Sequence, residues 1–199
     1  VTKAALPWVL DPLRAQGFLG RLLAQHLSAS GVESDLERWT LESILFAALH
    51  VQDAPGAIAL GEPADPTPAG KVHVLPDLAD DADNMAAALD QLSLNVAKTL
   101  PAGSSAGGEQ PKLLARYADG THVLVKFTPP RGTAFGERWH DLLHAECLAL
   151  DTLRAHGIAA ATTKMVSSPT RTYLVSERFD RLGALGRRHL VSVGAAHTG

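Results

Sequence analysis

Apolar residues at helical spacing come first along the chain: Phe18, Leu19, Leu22, Leu23 and Leu27 predict a surface helix over Gly17 to Leu27, stopped by Gly31. A second helix is predicted from Ser34 or Asp35, where Ser34 and Glu37 have capping-box spacing and Leu36, Trp39, Ile44, Leu45 and Leu49 supply an apolar side. The short run Ala57 to Leu60 reads as a strand, and Pro63, Pro66 and Pro68 then mark a domain boundary near 62–70.

Beyond that boundary, apolar and polar residues alternate over Lys71 to Leu75, a strand pattern, and Pro76 opens a helical stretch running to about Lys98. A loop follows, then strands over Leu113 to Tyr117 and Thr121 to Phe127, joined by Asp119-Gly120, a strong hairpin signal. Pro129 to Gly136 is predicted as loop and Glu137 to His156 as helix, closed by Gly157. A hairpin of Ala161 to Ser167 with Thr172 to Val175 comes next, and a last strand is predicted over Arg188 to Val193.

At 199 residues, 46% hydrophobic and 20% charged, the chain suits one or two ordinary globular domains, and its net charge of −3 gives no reason to expect broad adhesion to nucleic acid or anionic membrane. A single cysteine, Cys147, excludes an internal disulfide, and there is neither a signal peptide nor an apolar run of 18 residues. A cytoplasmic protein without membrane contact is the expectation. The chain starts at Val1 and its last residues, 191–199, show no sign of a helix end, which is the pattern expected of a fragment.

Chemistry concentrates after residue 100. Gly103 to Lys112 reads Gly-Ser-Ser-Ala-Gly-Gly-Glu-Gln-Pro-Lys, and a backbone lacking Cβ at Gly107 and Gly108 lets a phosphate approach its N–H groups; the other reading of these ten residues is a plain Gly/Ser connector. On the predicted helix, at 100° per residue, Trp139, Leu142, Leu143, Leu150 and Leu153 fall within about 60° of Glu146. An ionised carboxylate amid such a stripe needs a cation. Lys126, alternating with apolar residues on the preceding strand, is the candidate, although an edge-strand surface lysine would look the same. A lysine held by a helix glutamate beside a Gly-rich loop is how kinase-like folds grip nucleotide phosphates.

Other groups carry less. His140 and His144 stand four apart, but without a His-Glu-x-x-His pattern, so no metal site is expected; Asp77, Asp80 and Asp81 suit a helix N-terminus without any metal. Cys147 reads as a small buried hydrophobe, and Arg178, Arg181, Arg187 and Arg188 as a solvated basic face.

Four segments in order, Ser105-Ala-Gly-Gly-Glu-Gln-Pro-Lys112, Leu124-Val-Lys126-Phe127, Ala145-Glu146-Cys147-Leu148 and Val175-Ser-Glu177-Arg-Phe179-Asp180-Arg181, resemble the HipA family of bacterial toxin serine/threonine kinases. The resemblance covers about 103–193, and Ile44 to Leu60 is similar to the family's N-terminal subdomain. It implies an α+β fold: a small, largely helical subdomain over 1–70, then a kinase-like N-lobe over 71–199, antiparallel strands with one crossing helix, truncated before the C-lobe. It further implies that Ser105, Ala106, Gly107, Gly108, Gln110 and Lys112 cover ATP phosphates and that Lys126, oriented by Glu146, contacts them. Glu177 and Phe179 would form the adenine-binding hinge, Asp180 would lie near the ribose, and Ser105, with Ser104 beside it, would be autophosphorylated. ATP and Mg²⁺ are the implied cofactors, with the metal ligands downstream of this chain. An aminoacyl-tRNA synthetase is the implied substrate and a DNA-binding antitoxin the implied partner. A non-catalytic regulatory or DNA-binding module with a vestigial nucleotide site is the alternative.

Overall fold

The computed structural model describes residues 7–51, 53–61, 73–76, 82–96 and 110–191. They belong to two compact units, one of 7–51, 53–61 and 185–191, the other of 73–76, 82–96 and 110–184.

In the first unit, helix α1 (Gly17–Ser28) buries Leu19, Leu23, Ala24 and Leu27 and ends as its sequence predicts, with Gly31 at φ 83° and the Gly31 N–H donating to the Ser28 carbonyl at 3.0 Å. The second helix differs from expectation. Asp35, not Ser34, caps a single 3₁₀ turn over Leu36–Arg38 by accepting from the Glu37 N–H, and helix α2 (Leu41–Leu49) starts only after Thr40, whose hydroxyl accepts from the Ser43 N–H. Two competing caps split one apolar pattern into two elements, and Trp39, extended between them, donates its indole N–H to the Glu33 carbonyl. Ala57 to Leu60 is not a strand among the described residues: Ile58 and Leu60 instead pack on the core of Leu13, Leu23, Leu27, Ala47, Ala48 and Val51. An apolar run without a partner strand is satisfied by burial alone.

The second unit is a mixed five-stranded sheet in the order β1-β2-β3-β5-β4, built from β1 (His73–Leu75), β2 (Lys112–Tyr117), β3 (His122–Phe127), β4 (Thr163–Ser167) and β5 (Thr172–Glu177). Four strands are antiparallel, as two hairpins require. The correction is β1, which runs parallel to β2 with His73 opposite Ala115. A parallel pair needs a crossover, and helix α3 (Ala82–Leu94), on the connection between the two strands, supplies it. The Asp119-Gly120 turn forms as predicted, Gly120 at φ 89° and the Asp119 carboxylate accepting from the Thr121 N–H at 2.8 Å.

Helix α4 (Ala134–Ala155) starts one turn earlier than its apolar pattern suggests, because Thr133 caps it, accepting from the Gly136 N–H at 2.9 Å. Gly136 therefore belongs to the first helical turn rather than to a loop, and a Cβ there would stand 2.3 Å from the Pro130 carbonyl oxygen, so this close approach requires glycine. The predicted strand at 188–193 is absent over 188–191, and its last two positions lie outside the described residues.

The two helices take opposite faces of the sheet, so the arrangement has two helices rather than one. Val123, Val125, Tyr173 and Val175 bury on one side, where Tyr173 meets α3 residues Asp90 and Ser93. Lys126, Leu174 and Thr172 point the other way, towards α4. Burying each such large apolar side chain contributes about 1.5–3 kcal/mol. The sheet and its two helices therefore form a layered core.

Candidate functional site

Strand β3 lies between β2 and β5, so Lys126 is an interior-strand residue and the edge-strand reading falls. Its Nζ donates to Glu146 Oε1 on α4 at 2.5 Å, with the two side chains 22% and 34% exposed. The pair is therefore dry enough to hold a fixed geometry and open enough for a ligand to reach. Lys112 is the register partner of Lys126 across β2 and β3, which puts both side chains on the same face, and Lys112 is only 2% exposed. At the start of β2, Gln110 has an enclosed side-chain Nε2 with no acceptor among the described residues. Lys112 and Lys126 thus stand side by side on one face at the same end of the β2–β3 pair, the first enclosed and the second partly open. The Lys126 ammonium is open enough to meet an anion.

The apolar stripe around Glu146 is narrower than the sequence suggests. Leu142 and Leu153 are 48% and 39% exposed, while Leu143 is fully buried. Gly136, Trp139, Leu143, Cys147 and Leu150 centre the inward side about 60° from Glu146, so the glutamate sits at the edge of the buried face rather than in its middle. From that edge it reaches Lys126 without full desolvation.

Beyond β5 the chain corrects a second expectation. Arg178 and Arg181 are not a solvated basic face: their side chains are 9% and 4% exposed and both grip the Asp180 carboxylate, itself 7% exposed, at 2.9 and 2.7 Å. Arg178 binds in fork geometry, its Nε at 3.0 Å from the other carboxylate oxygen. Asp180 is thus the centre of a buried cluster that fixes the turn, while Phe179 beside it is 64% exposed and Glu177 is exposed at the end of β5. The turn is further tied to β3, where the His122 carbonyl accepts from the Arg178 N–H at 2.9 Å and His122 Nε2 bonds the Ala184 carbonyl at 3.0 Å.

Ser104, Ser105, Ala106, Gly107, Gly108, Asp77, Asp80 and Asp81 lie outside the described residues. His140 and His144 stack edge to face at 4.4 Å, and His140 spends Nδ1 on the Thr172 hydroxyl; among the described residues no group of three His, Cys, Asp or Glu side chains is placed for a metal. Cys147 is partly buried, its Sγ 3.7 Å from Thr163 Oγ1.

One hub was not singled out from the sequence. Asp90 on α3 accepts from Ser168 at 2.8 Å, from Thr170 at 2.9 Å and from the Tyr173 hydroxyl, bolting the helix to the β4–β5 turn. Burial by itself raises its carboxyl, but the Tyr173, Ser168 and Thr170 hydroxyls and nearby Arg171 outweigh that and hold it below the usual 3.8. Burial, then the Asp90 carboxylate, pushes the Tyr173 phenol far above its usual 10. The available signal was polar: Asp90 and Ser93 share a helix face with Met85, Ala86 and Leu89.

Comparison with known proteins bears out the family resemblance. Residues 104–198 match the family described as HipA-like C-terminal domain, and residues 2–66 match the one described as YjjJ-like toxin, middle domain. The chain is 38% identical over 201 residues to Toxin YjjJ of Escherichia coli (strain K12), an alignment that takes in 97% of this chain and 44% of that protein. The chain thus spans less than half of that relative's length. No solved structure matches.

Proposed function

We propose that this chain, which belongs to the HipA-like toxin family, carries the ATP-phosphate-binding part of a serine/threonine protein kinase. The observation that carries the reading is the Lys126–Glu146 pair on an interior strand and its covering helix, with Lys112 on the same face. Phosphoryl transfer spreads negative charge over phosphate oxygens, and its catalysis consists largely of positioning and neutralising that charge. Lys126 donates to a phosphate oxygen while Glu146 holds the ammonium in place, and Lys112 and Gln110 add donors beside it. Mg²⁺ would neutralise the phosphates when bound; the described residues offer it no cluster of ligands. Ser105 in the loop is the autophosphorylation site, where about −1.5 to −2 added charges would repel ATP and switch the site off. The protein works in the cytoplasm; an aminoacyl-tRNA synthetase is its substrate and a DNA-binding antitoxin its partner, both carried over from the resemblance.

Titration of MgATP into the full-length protein tests this. Lys126→Ala is expected to weaken binding by about tenfold or more, the loss of one charge-assisted contact. Equal affinity in the two proteins would refute the assignment. One observation favours the alternative of a regulatory module with a vestigial site: the Asp180 carboxylate, which the resemblance puts near a ribose, is held by two arginines. Wild-type protein that binds no MgATP would support that module.

A further inference from the structure

Helix α4 is tied to the Lys126 face of the sheet by more than Glu146. His140 Nδ1 lies 2.7 Å from the Thr172 hydroxyl oxygen, and Thr172 is fully buried. The same oxygen accepts from Arg131 Nη2 at 3.0 Å, and that Nη2 also stands 3.3 Å from His140 Nδ1. A guanidinium can only donate, so Arg131 faces both the Thr172 oxygen and His140 Nδ1 as a donor. An Nδ1 that accepts from the Thr172 hydroxyl fits that arrangement. Arg131 is held in turn, since its backbone N–H donates to the Thr170 carbonyl at 2.9 Å.

Two ties placed this way control where Glu146 points. His140 precedes Glu146 by six residues, about 9 Å along the helix and about 120° around it. The two side chains thus stand at opposite edges of the buried face whose middle is Leu143. On the sheet, Thr172 is two residues from Leu174, the register partner of Lys126, so it shares the face with Lys126. One tie alone would let the helix roll about the other. A roll of about 20° carries a side-chain base more than 1 Å, enough to break a 2.5 Å contact.

We infer that His140 and Thr172 are positioning residues for the Lys126–Glu146 pair, an imidazole and a buried hydroxyl fixing the rotation of α4 so that the glutamate meets the lysine. The inference takes the phosphate-binding role of Lys126 from the proposed function, but the geometry it asserts is measurable without any nucleotide. The test is competitive labelling of lysine amines in the full-length protein, read by mass spectrometry, with exposed Lys164 on β4 as the internal reference. His140→Ala and Thr172→Val are each expected to raise Lys126 labelling relative to Lys164 by about two- to tenfold, the factor of one net hydrogen bond. His140→Asn, whose amide oxygen can take the place of Nδ1, is expected to restore the wild-type ratio. An unchanged ratio in both Ala and Val variants overturns the inference, and so does an equal rise in all three variants, which would signify loosening of the fold. MgATP titration of the same proteins separates the two proposals. Labelling that responds in a protein that binds no ATP leaves the positioning intact and removes the nucleotide role.

Discussion

The Lys126–Glu146 pair and the Arg178–Asp180–Arg181 cluster both join acid to base at the same sheet, yet one is open and the other closed. Lys126 and Glu146 keep 22% and 34% of their side chains exposed, whereas the arginines and Asp180 keep 9%, 4% and 7%. A partly solvated pair costs little to open and contributes little to stability, about 0–1 kcal/mol, so its charges remain available to a third party. A buried cluster with every oxygen satisfied is expensive to disturb and offers a ligand nothing. Exposure, not charge, separates the Lys126–Glu146 pair, which a ligand can reach, from the cluster that holds the turn.

The largest effect is expected at Asp180. Asp180→Ala would remove the carboxylate that two buried guanidiniums share, and the expected loss is up to about 3–5 kcal/mol, read as a fall in melting temperature of roughly 10 °C. A loss below about 1 kcal/mol would mean that the cluster is as solvated as the Lys126 pair.

An intermediate effect belongs to the Asp90–Tyr173 bolt, which is polar, buried and uncharged on one side. A phenol whose folded value lies above its usual 10 contributes stability that is fully present below pH 10 and is lost as pH rises through the folded value. Asp90 works in the opposite sense: held below 3.8, it contributes stability above that pH which is lost as pH falls through the folded value. Tyr173→Phe is expected to cost about 1 kcal/mol at neutral pH and to flatten the alkaline limb of the stability profile, measured by urea unfolding between pH 7 and 11. A variant that still shows the wild-type alkaline loss would assign it to another group.

The smallest change in stability is expected at Glu146. Glu146→Gln keeps the shape and removes the charge, so the melting temperature should move by no more than about 4 °C while MgATP affinity falls severalfold. A large loss of stability with unchanged affinity would reverse the roles assigned to the two ion pairs.

Much of this was legible before folding. The helical spacing of Leu19, Leu23 and Leu27, the Asp119-Gly120 turn and the Gly157 stop each determine a local element, because the forces involved act within a few residues. Glu146 and Lys126 were legible as a pair for the same kind of reason: each is a charge set in an apolar pattern, and such a charge needs a partner. The sequence could not show that β1 runs parallel, that α4 turns its inward face away from Leu142 and Leu153, or that Asp180 serves two arginines. Nor could it show that Asp90 and Tyr173, 83 residues apart, are joined by a hydrogen bond. Those features depend on which surfaces meet and how much water they exclude, and neither quantity is written in the spacing of residues along one chain. Local pattern determined the elements and named the charges; tertiary packing decided which of those charges stay in reach of solvent.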